Sequence, residues 1–442
     1  MRRAILAVLL VAASCSREVP PPRNLLLITL DTLRADHLGA YGYDRPTSPH
    51  LDAFAARSTL FEDALCNVPT TLPSHVSFFT GLPPALHGAR RNGVEPDRDL
   101  VTLFDLLEAR GLRTAAVVAS GVLGPRFSEP LGPGEVLLPR TKGQFQIPAE
   151  RVNAEALRWL DAHAGERFAL WLHYYDTHEP YDPPQPFREA FARPYDGLLP
   201  QALDVDTLVA LNDDPAVVLT AEDRRHIIDL YDAEVAYLDA QLGALFTALE
   251  ERGLLESTAA VLVGDHGQAL GEQDFWGHGL RLLQPVVRIP YMIRLPGQDE
   301  GRRVVAPVDS LDLLPTLVEL FRLEAVEDLA GRSLVPALAG RPVASRSLRV
   351  VERRRFDEAP EAVAVALYGP GWKLVYDQEP DRPPVTTFSR DPAALDLDSG
   401  HRPDAAQRGL LDEALALVRS GAPPSGALDA ETRELLEALG YL

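Results

Sequence analysis

Cysteine is nearly absent: the 442 residues contain two, Cys15 and Cys66. A disulfide framework is therefore excluded as the source of stability, and an apolar core has to hold the fold. Long apolar runs are missing as well. No stretch beyond residue 14 approaches the roughly 20 apolar residues that a helix needs to cross a bilayer. Basic charge is in short supply, with 43 Lys and Arg against 64 Asp and Glu and a formal net charge of −21. Phosphate backbones are bound by clustered cations, so the balance excludes a nucleic-acid partner. Internal repeats are also absent, which removes solenoids and propellers. What remains, 46% hydrophobic and 24% charged, is a globular chain long enough for one large domain and a smaller one.

The first residues stand apart. Arg2 and Arg3 precede an apolar stretch, Ala4 to Ala13, and Ala12-Ala13-Ser14-Cys15 closes it. A basic start, a short apolar middle and small residues make a secretion signal. The arrangement resembles a bacterial lipoprotein signal. That implies removal of residues 1–14, lipidation of Cys15, and an extracytoplasmic cell-envelope location (periplasm or outer membrane) with membrane contact through the anchor. Residues 15–23, rich in proline, read as a stiff tether. Cys66 then has no partner and reads as a small apolar core residue.

Apolar runs at 24–30, 114–119, 168–174, 259–263 and 290–295 read as strands, and helical periodicity at 101–110, 153–163 and 226–252 falls between them. The alternation predicts an α/β fold, a largely parallel sheet sandwiched by helices, over residues 24–345. Past Leu338 the texture changes. Segments 347–352, 362–368 and 372–377 read as short antiparallel strands, and 404–419 and 429–438 as helices. They predict a smaller C-terminal α+β subdomain over 346–442, with 378–384 as an exposed loop.

Chemistry enters at the strand ends. Asp31 ends the run Leu25-Leu26-Leu27-Ile28-Thr29-Leu30, and Asp265-His266-Gly267 ends Ala259-Ala260-Val261-Leu262-Val263-Gly264. In an open α/β sheet the carboxyl ends of strands line the ligand crevice. Each Asp alone also fits a turn or a helix cap; together with a neutral His they make a cation site, suited to zinc or manganese better than to an all-oxygen calcium cage. Between them lies Thr71-Leu72-Pro73-Ser74-His75. Thr71 reads either as the cap of a helix starting near Pro73 or as a hydroxyl nucleophile that a metal would activate.

The ordered set Asp31 to Asp36, Thr71-x-Pro73-Ser74-His75 with Thr80-Gly81, His87-Gly88, His173 to Tyr181, Asp265-His266-Gly267 and Val308 to Thr316 resembles the sulfatases of the alkaline phosphatase superfamily. The resemblance covers about residues 24–340, with an echo at Gly371-Trp372-Lys373. It implies an alkaline-phosphatase/sulfatase-like fold and a divalent metal (Zn, Mn or Ca) on Asp31, Asp265, His266 and the Thr71 hydroxyl. It implies that Asn92 and His178 contact the transferred group, and that His278, close to where relatives place a Lys that assists the leaving group, serves as a general acid. Alternatively, Asp176, His178 and His278 would hold a second metal. His173 reads as a core-edge histidine outside the site.

Two departures carry weight. Sulfatases convert a Cys or Ser at the first position of Cys/Ser-x-Pro-x-Arg into formylglycine; here that position is Thr71, and His75 replaces the Arg. Thr32 replaces a second metal-binding Asp. Thr-x-Pro-x-His is similar to the nucleophile segment of nucleotide-pyrophosphatase-type phosphodiesterases. The implied function is a metal-dependent hydrolase of sulfate or phosphate (di)esters, of small-molecule or glycan type, working through Thr71 and a covalent intermediate. Phosphodiesters are favoured. A phosphoryl-group transferase acting on envelope glycan or lipid, and a decayed binding protein, are the alternatives.

Overall fold

A computed structural model describes residues 18–94, 96, 100–137, 146–214, 216–344, 346–356, 359–379, 382–392 and 402–420. Cys15 and the helix read at 429–438 lie outside the described residues. The main sheet contains β1 (Asn24–Leu30), β2 (Thr59–Phe61), β3 (Arg113–Val118), β4 (Val136–Leu137), β5 (Phe168–Tyr174), β6 (Thr258–Gly264), β7 (Tyr291–Arg294) and β8 (Arg302–Val304). Their spatial order is β8-β2-β7-β6-β1-β5-β3-β4. β1 runs parallel to both β5 and β6, with Leu30 opposite Tyr174 on one side and Gly264 on the other. Only β7 runs against its two neighbours. The central strands are apolar throughout because both faces are covered, as in buried parallel sheets.

Alternate residues feed two cores. Leu25, Leu27, Trp171, Val261 and Val263 face one layer, and Leu26, Ile28, Leu30, Leu172 and Leu262 the other. Trp171 is fully buried; at 150–250 Å² and ~25 cal/mol per Å² it contributes at most roughly 4–6 kcal/mol. The first layer includes α1 (Thr71–Thr80) and α2 (Leu103–Ala109); the second includes α3 (Ala149–Ala162) and α4 (Ala221–Glu251). Helices α2 and α4 start at capping boxes, Thr102 with Asp105 and Thr220 with Asp223, which satisfy their first amides. The helix read from 226 therefore begins five residues earlier, at the cap the sequence already carries. Proline at the third position of α1 is tolerated, since first-turn amides have no partner within the helix. Gly81, at φ 68°, ends it.

A second, antiparallel sheet follows: β9 (Arg349–Phe356), β10 (Ala359–Gly369), β11 (Trp372–Asp377) and β12 (Val385–Ser389), in that order, with α5 (Ala405–Ser420) packed on it. It docks around α1. The Glu352 amide donates to the Asn67 carbonyl at 2.8 Å, and the Glu352 carboxylate accepts from the Ala85 amide at 3.0 Å. The buried Lys373 amine lies 3.5 Å from the Leu282 carbonyl. Among the described residues no helix is long and apolar enough to cross a membrane.

Candidate metal centre and active site

The parallel pairing of β5, β1 and β6 brings three strand ends side by side. The Asp31 amide donates to the Tyr174 carbonyl at 3.0 Å, and the Asp265 amide to the Leu30 carbonyl at 3.2 Å. Asp31, Asp265 and His266 each place one ligand atom within 4.8 Å of the others, and all three are fully buried. Both Asp31 oxygens, Asp265 Oδ2 and His266 Nε2 have no hydrogen-bond partner. Asp265 Oδ1 is held by the amides of His266 at 2.7 Å and Thr32 at 3.2 Å. Burial, then the Asp265 charge, raises the pKa of Asp31 well above its ordinary value; burial also raises that of Asp265. Two dry carboxylates facing each other without a counter-charge are unfavourable by several kcal/mol, on the order of what a lone buried ion costs. The donor set thus fits a cation.

His266 is prepared for the same role. Its Nδ1 donates to the Gly267 carbonyl at 3.0 Å, and burial lowers its pKa to about 4, so the ring is neutral and Nε2 carries a free lone pair. The next residue must be glycine: a Cβ on Gly267 would lie 2.0 Å from the Pro285 carbonyl oxygen.

Thr71 occupies the first turn of α1, nearly fully buried, and its hydroxyl lowers the Asp31 pKa against the larger raising effects of burial and Asp265. It is not the helix cap expected from Thr71-Leu72-Pro73. Thr70 takes that position without a side-chain bond, and the orphan Leu72 amide is met instead by Asn92 Oδ1 at 2.9 Å. Capping from elsewhere in the chain leaves the Thr71 hydroxyl uncommitted to its own helix and sets Asn92 beside it. Ser74 Oγ donates to the Asp265 carbonyl at 2.9 Å, tying α1 to the end of β6.

A second cluster lies next to the first. His178, Glu179 and His278 also place ligand atoms within 4.8 Å of one another, and the His278 ring centroid is 4.5 Å from His266 and 4.9 Å from His178. Asp176 is not part of it, which corrects the Asp176, His178 and His278 set. The chain turns after β5, so Asp176 Oδ1 accepts from the first amide of α3, at Ala149, at 2.9 Å. Its side chain lines a separate cavity of about 580 Å³ with Glu150, Tyr175 and Glu234. Glu179 is the ligand that sequence reasoning missed, although it adjoins His178. Buried Gln268 organises this cluster. Its amide donates to Glu179 Oε2 at 2.9 Å and Tyr181 at 2.8 Å, which turns its carbonyl to accept from His278 Nδ1 at 2.7 Å. Glutamate could not do both. His278 is pushed well below its ordinary pKa by burial, then by His266 and His178. It is neutral with Nε2 unprotonated. In this state Nε2 can take a proton and has none there to give.

With this geometry in view, the comparisons are specific. The Sulfatase family model matches residues 23–323. The chain belongs to the sulfatase family of hydrolases. Human N-sulphoglucosamine sulphohydrolase is 28% identical over 367 residues, covering 77% of this chain and 70% of that protein. A phosphonate monoester hydrolase from Silicibacter pomeroyi superposes with a TM-score of 0.71 at 21% identity, covering 92% of this chain and 98% of the other. A structure solved with its substrate D-glucosamine-2-N,6-O-disulfate superposes with a TM-score of 0.75 at 17% identity, covering 92% and 100%. The fold is the alkaline-phosphatase/sulfatase one. Thr71 stands at the start of α1, and Cys66, the only described cysteine, is buried outside the helix with its thiol pushed up by burial.

Proposed function

We propose that this protein is a metal-dependent hydrolase of phosphoric esters, phosphodiesters or phosphonate monoesters, with Thr71 as the nucleophile. The observation that carries the reading is Thr71 in the first turn of α1, at the buried Asp31, Asp265 and His266 cluster whose ligand atoms lack hydrogen-bond partners. A divalent cation on Asp31, Asp265 and His266 would polarise the ester oxygens and ease deprotonation of the hydroxyl. Thr71 Oγ, its proton passing to solvent, attacks phosphorus in line, the P–O bond to the leaving group breaks, solvent water protonates the departing alkoxide, and a covalent threonine ester forms. Asn92 accepts from the Leu72 amide through Oδ1, which leaves its side-chain NH₂ to donate to the anion. His278 Nε2 accepts the proton of the water that attacks the ester in the second step, which frees Thr71. Threonine has no aldehyde hydrate through which a sulfate ester could be eliminated, so release needs a second displacement. That favours phosphorus over sulfur. Small-molecule or glycan esters fit as substrates.

The test is turnover of an aryl phosphodiester, an aryl phosphonate monoester and an aryl sulfate side by side, with release to water measured. The phosphorus esters are expected to be faster, and Thr71→Ala to lower kcat on the order of 10⁴-fold or more. Unchanged turnover in Thr71→Ala would remove the nucleophile assignment. We infer also that Cys15 is lipidated and holds the enzyme to the envelope membrane, on the strength of the residues before it. Detergent-phase partitioning that survives Cys15→Ala would contradict this.

A further inference from the structure

The cavity of about 580 Å³ that Asp176 faces shares a wall with the catalytic site. That wall is the segment following β5. Thr177 donates its hydroxyl to the Asp31 carbonyl, and the Tyr175 ring stacks on His178 with centroids 4.2 Å apart. Tyr175 and Asp176, on the same segment, line the cavity. From α3 and α4 come Glu150, Glu234 and Tyr237, and the loop beyond Tyr181 adds Asp182.

The lining holds four carboxylates and no Lys, Arg or His. Arg188 answers Asp182 from 2.7 Å. Among the described residues Glu150, Asp176 and Glu234 have no such ion pair. Asp176 Oδ1 accepts from the Ala149 amide, while Oδ2 is shut off from solvent and has no hydrogen-bond partner. Glu234 is only 5% exposed; one of its oxygens accepts from the Asp182 amide at 2.8 Å, and the other has no described partner. Asn and Gln would accept from those two amides equally well, so the negative charge is not needed for the fold. Charge held in such a place calls for a cation.

A metal ion does not meet the need. No three of these carboxylate oxygens gather within 4.8 Å, as the ligand atoms of the two clusters beside Thr71 do. The cation has to be larger and more diffuse. Tyr175 and Tyr237 offer aromatic rings, which attract a desolvated organic cation through their faces. The volume is that of a small-molecule pocket.

We propose that this cavity binds an organic ammonium group carried by the ester substrate, with Glu234 and Asp176 countering its charge and Tyr175 and Tyr237 packing on it. The proposal rests on the hydrolase reading above and names its substrate class: phosphoric esters of amino alcohols. The metal centre cleaves the ester, and the cavity selects the alcohol.

The experiment compares two nitrophenyl phosphodiesters of equal shape, one carrying a trimethylammonioethyl group and the other its uncharged neohexyl isostere. Turnover is measured in wild type, Glu234→Gln and Asp176→Asn, and Kd for both esters in Thr71→Ala. Wild type is expected to favour the ammonium ester about 10–100-fold in kcat/KM, and Thr71→Ala to bind it more tightly. Each carboxamide variant keeps the acceptor its amide needs, so neohexyl turnover should stay within about 2-fold of wild type while the preference falls at least about 5-fold. Equal kcat/KM and equal Kd for the two esters, or a preference that survives both variants, overturns the proposal. If neither ester is turned over but Thr71→Ala binds the ammonium ester more tightly, the cavity assignment stands and the failure belongs to the hydrolase reading.

Discussion

Two clusters of ligand atoms sit side by side in this molecule, and they are built on opposite principles. Asp31, Asp265 and His266 are fully buried, with four ligand atoms lacking any partner and two carboxylates pushed toward protonation. His178, Glu179 and His278 are less enclosed, and Gln268 bonds two of them directly. The first cluster is under electrostatic stress that a cation relieves. The second holds its geometry through hydrogen bonds alone. Proximity of ligand residues therefore does not by itself say where a metal is needed; unsatisfied buried charge does.

The largest effect should come from relieving the stress chemically. Asp31→Asn removes one of the two facing charges. It is expected to abolish tight metal binding and, in the metal-free protein, to raise stability by about 1–3 kcal/mol. The pH dependence gives the same contrast. A carboxyl whose folded pKa is raised stabilises the fold below its unfolded pKa, about 4, and that contribution is lost as pH rises through the folded value, about 6 for Asp265. Metal-stripped wild type should thus lose stability between those two pH values, and Asp31→Asn should lose less. Melting curves with a chelator, run across that range, decide it; a variant no more stable than wild type would break the comparison.

A smaller effect should sharpen it. Wild type is expected to hold one tight equivalent of divalent metal per chain. Gln268→Glu takes away the amide bonded to Glu179 and puts a second charge beside it, giving the neighbouring cluster the stress it lacks. A second equivalent should then bind at least about 10-fold more tightly than in wild type. Metal content after dialysis is the readout, and two tight equivalents in the wild type would dissolve the distinction.

The strands could be read because each central one is apolar on both faces, and the strand-end positions of Asp31 and Asp265 follow from that. Helix starts were less legible where the cap lies far away in the chain: nothing near Thr71 announces that Asn92 caps its helix. Asp176 and Glu179 exchanged places for a similar reason. Spacing alone does not tell which of two acids beyond a strand end points back to the site and which turns to cap the Ala149 helix. His173 read as a core-edge histidine, and it is fully buried. Strand β12 went unread, since Val385-Thr386-Thr387-Phe388-Ser389 follows a proline-rich turn and has little apolar content.

Glu352 grips the chain on both sides of the nucleophile helix, at Asn67 and at Ala85, while Lys373 reaches the segment just beyond His278. The C-terminal sheet is therefore a clamp rather than an appendage. Cutting the chain after Leu338 would not yield a minimal enzyme, and grafting another relative's tail would have to preserve these three contacts.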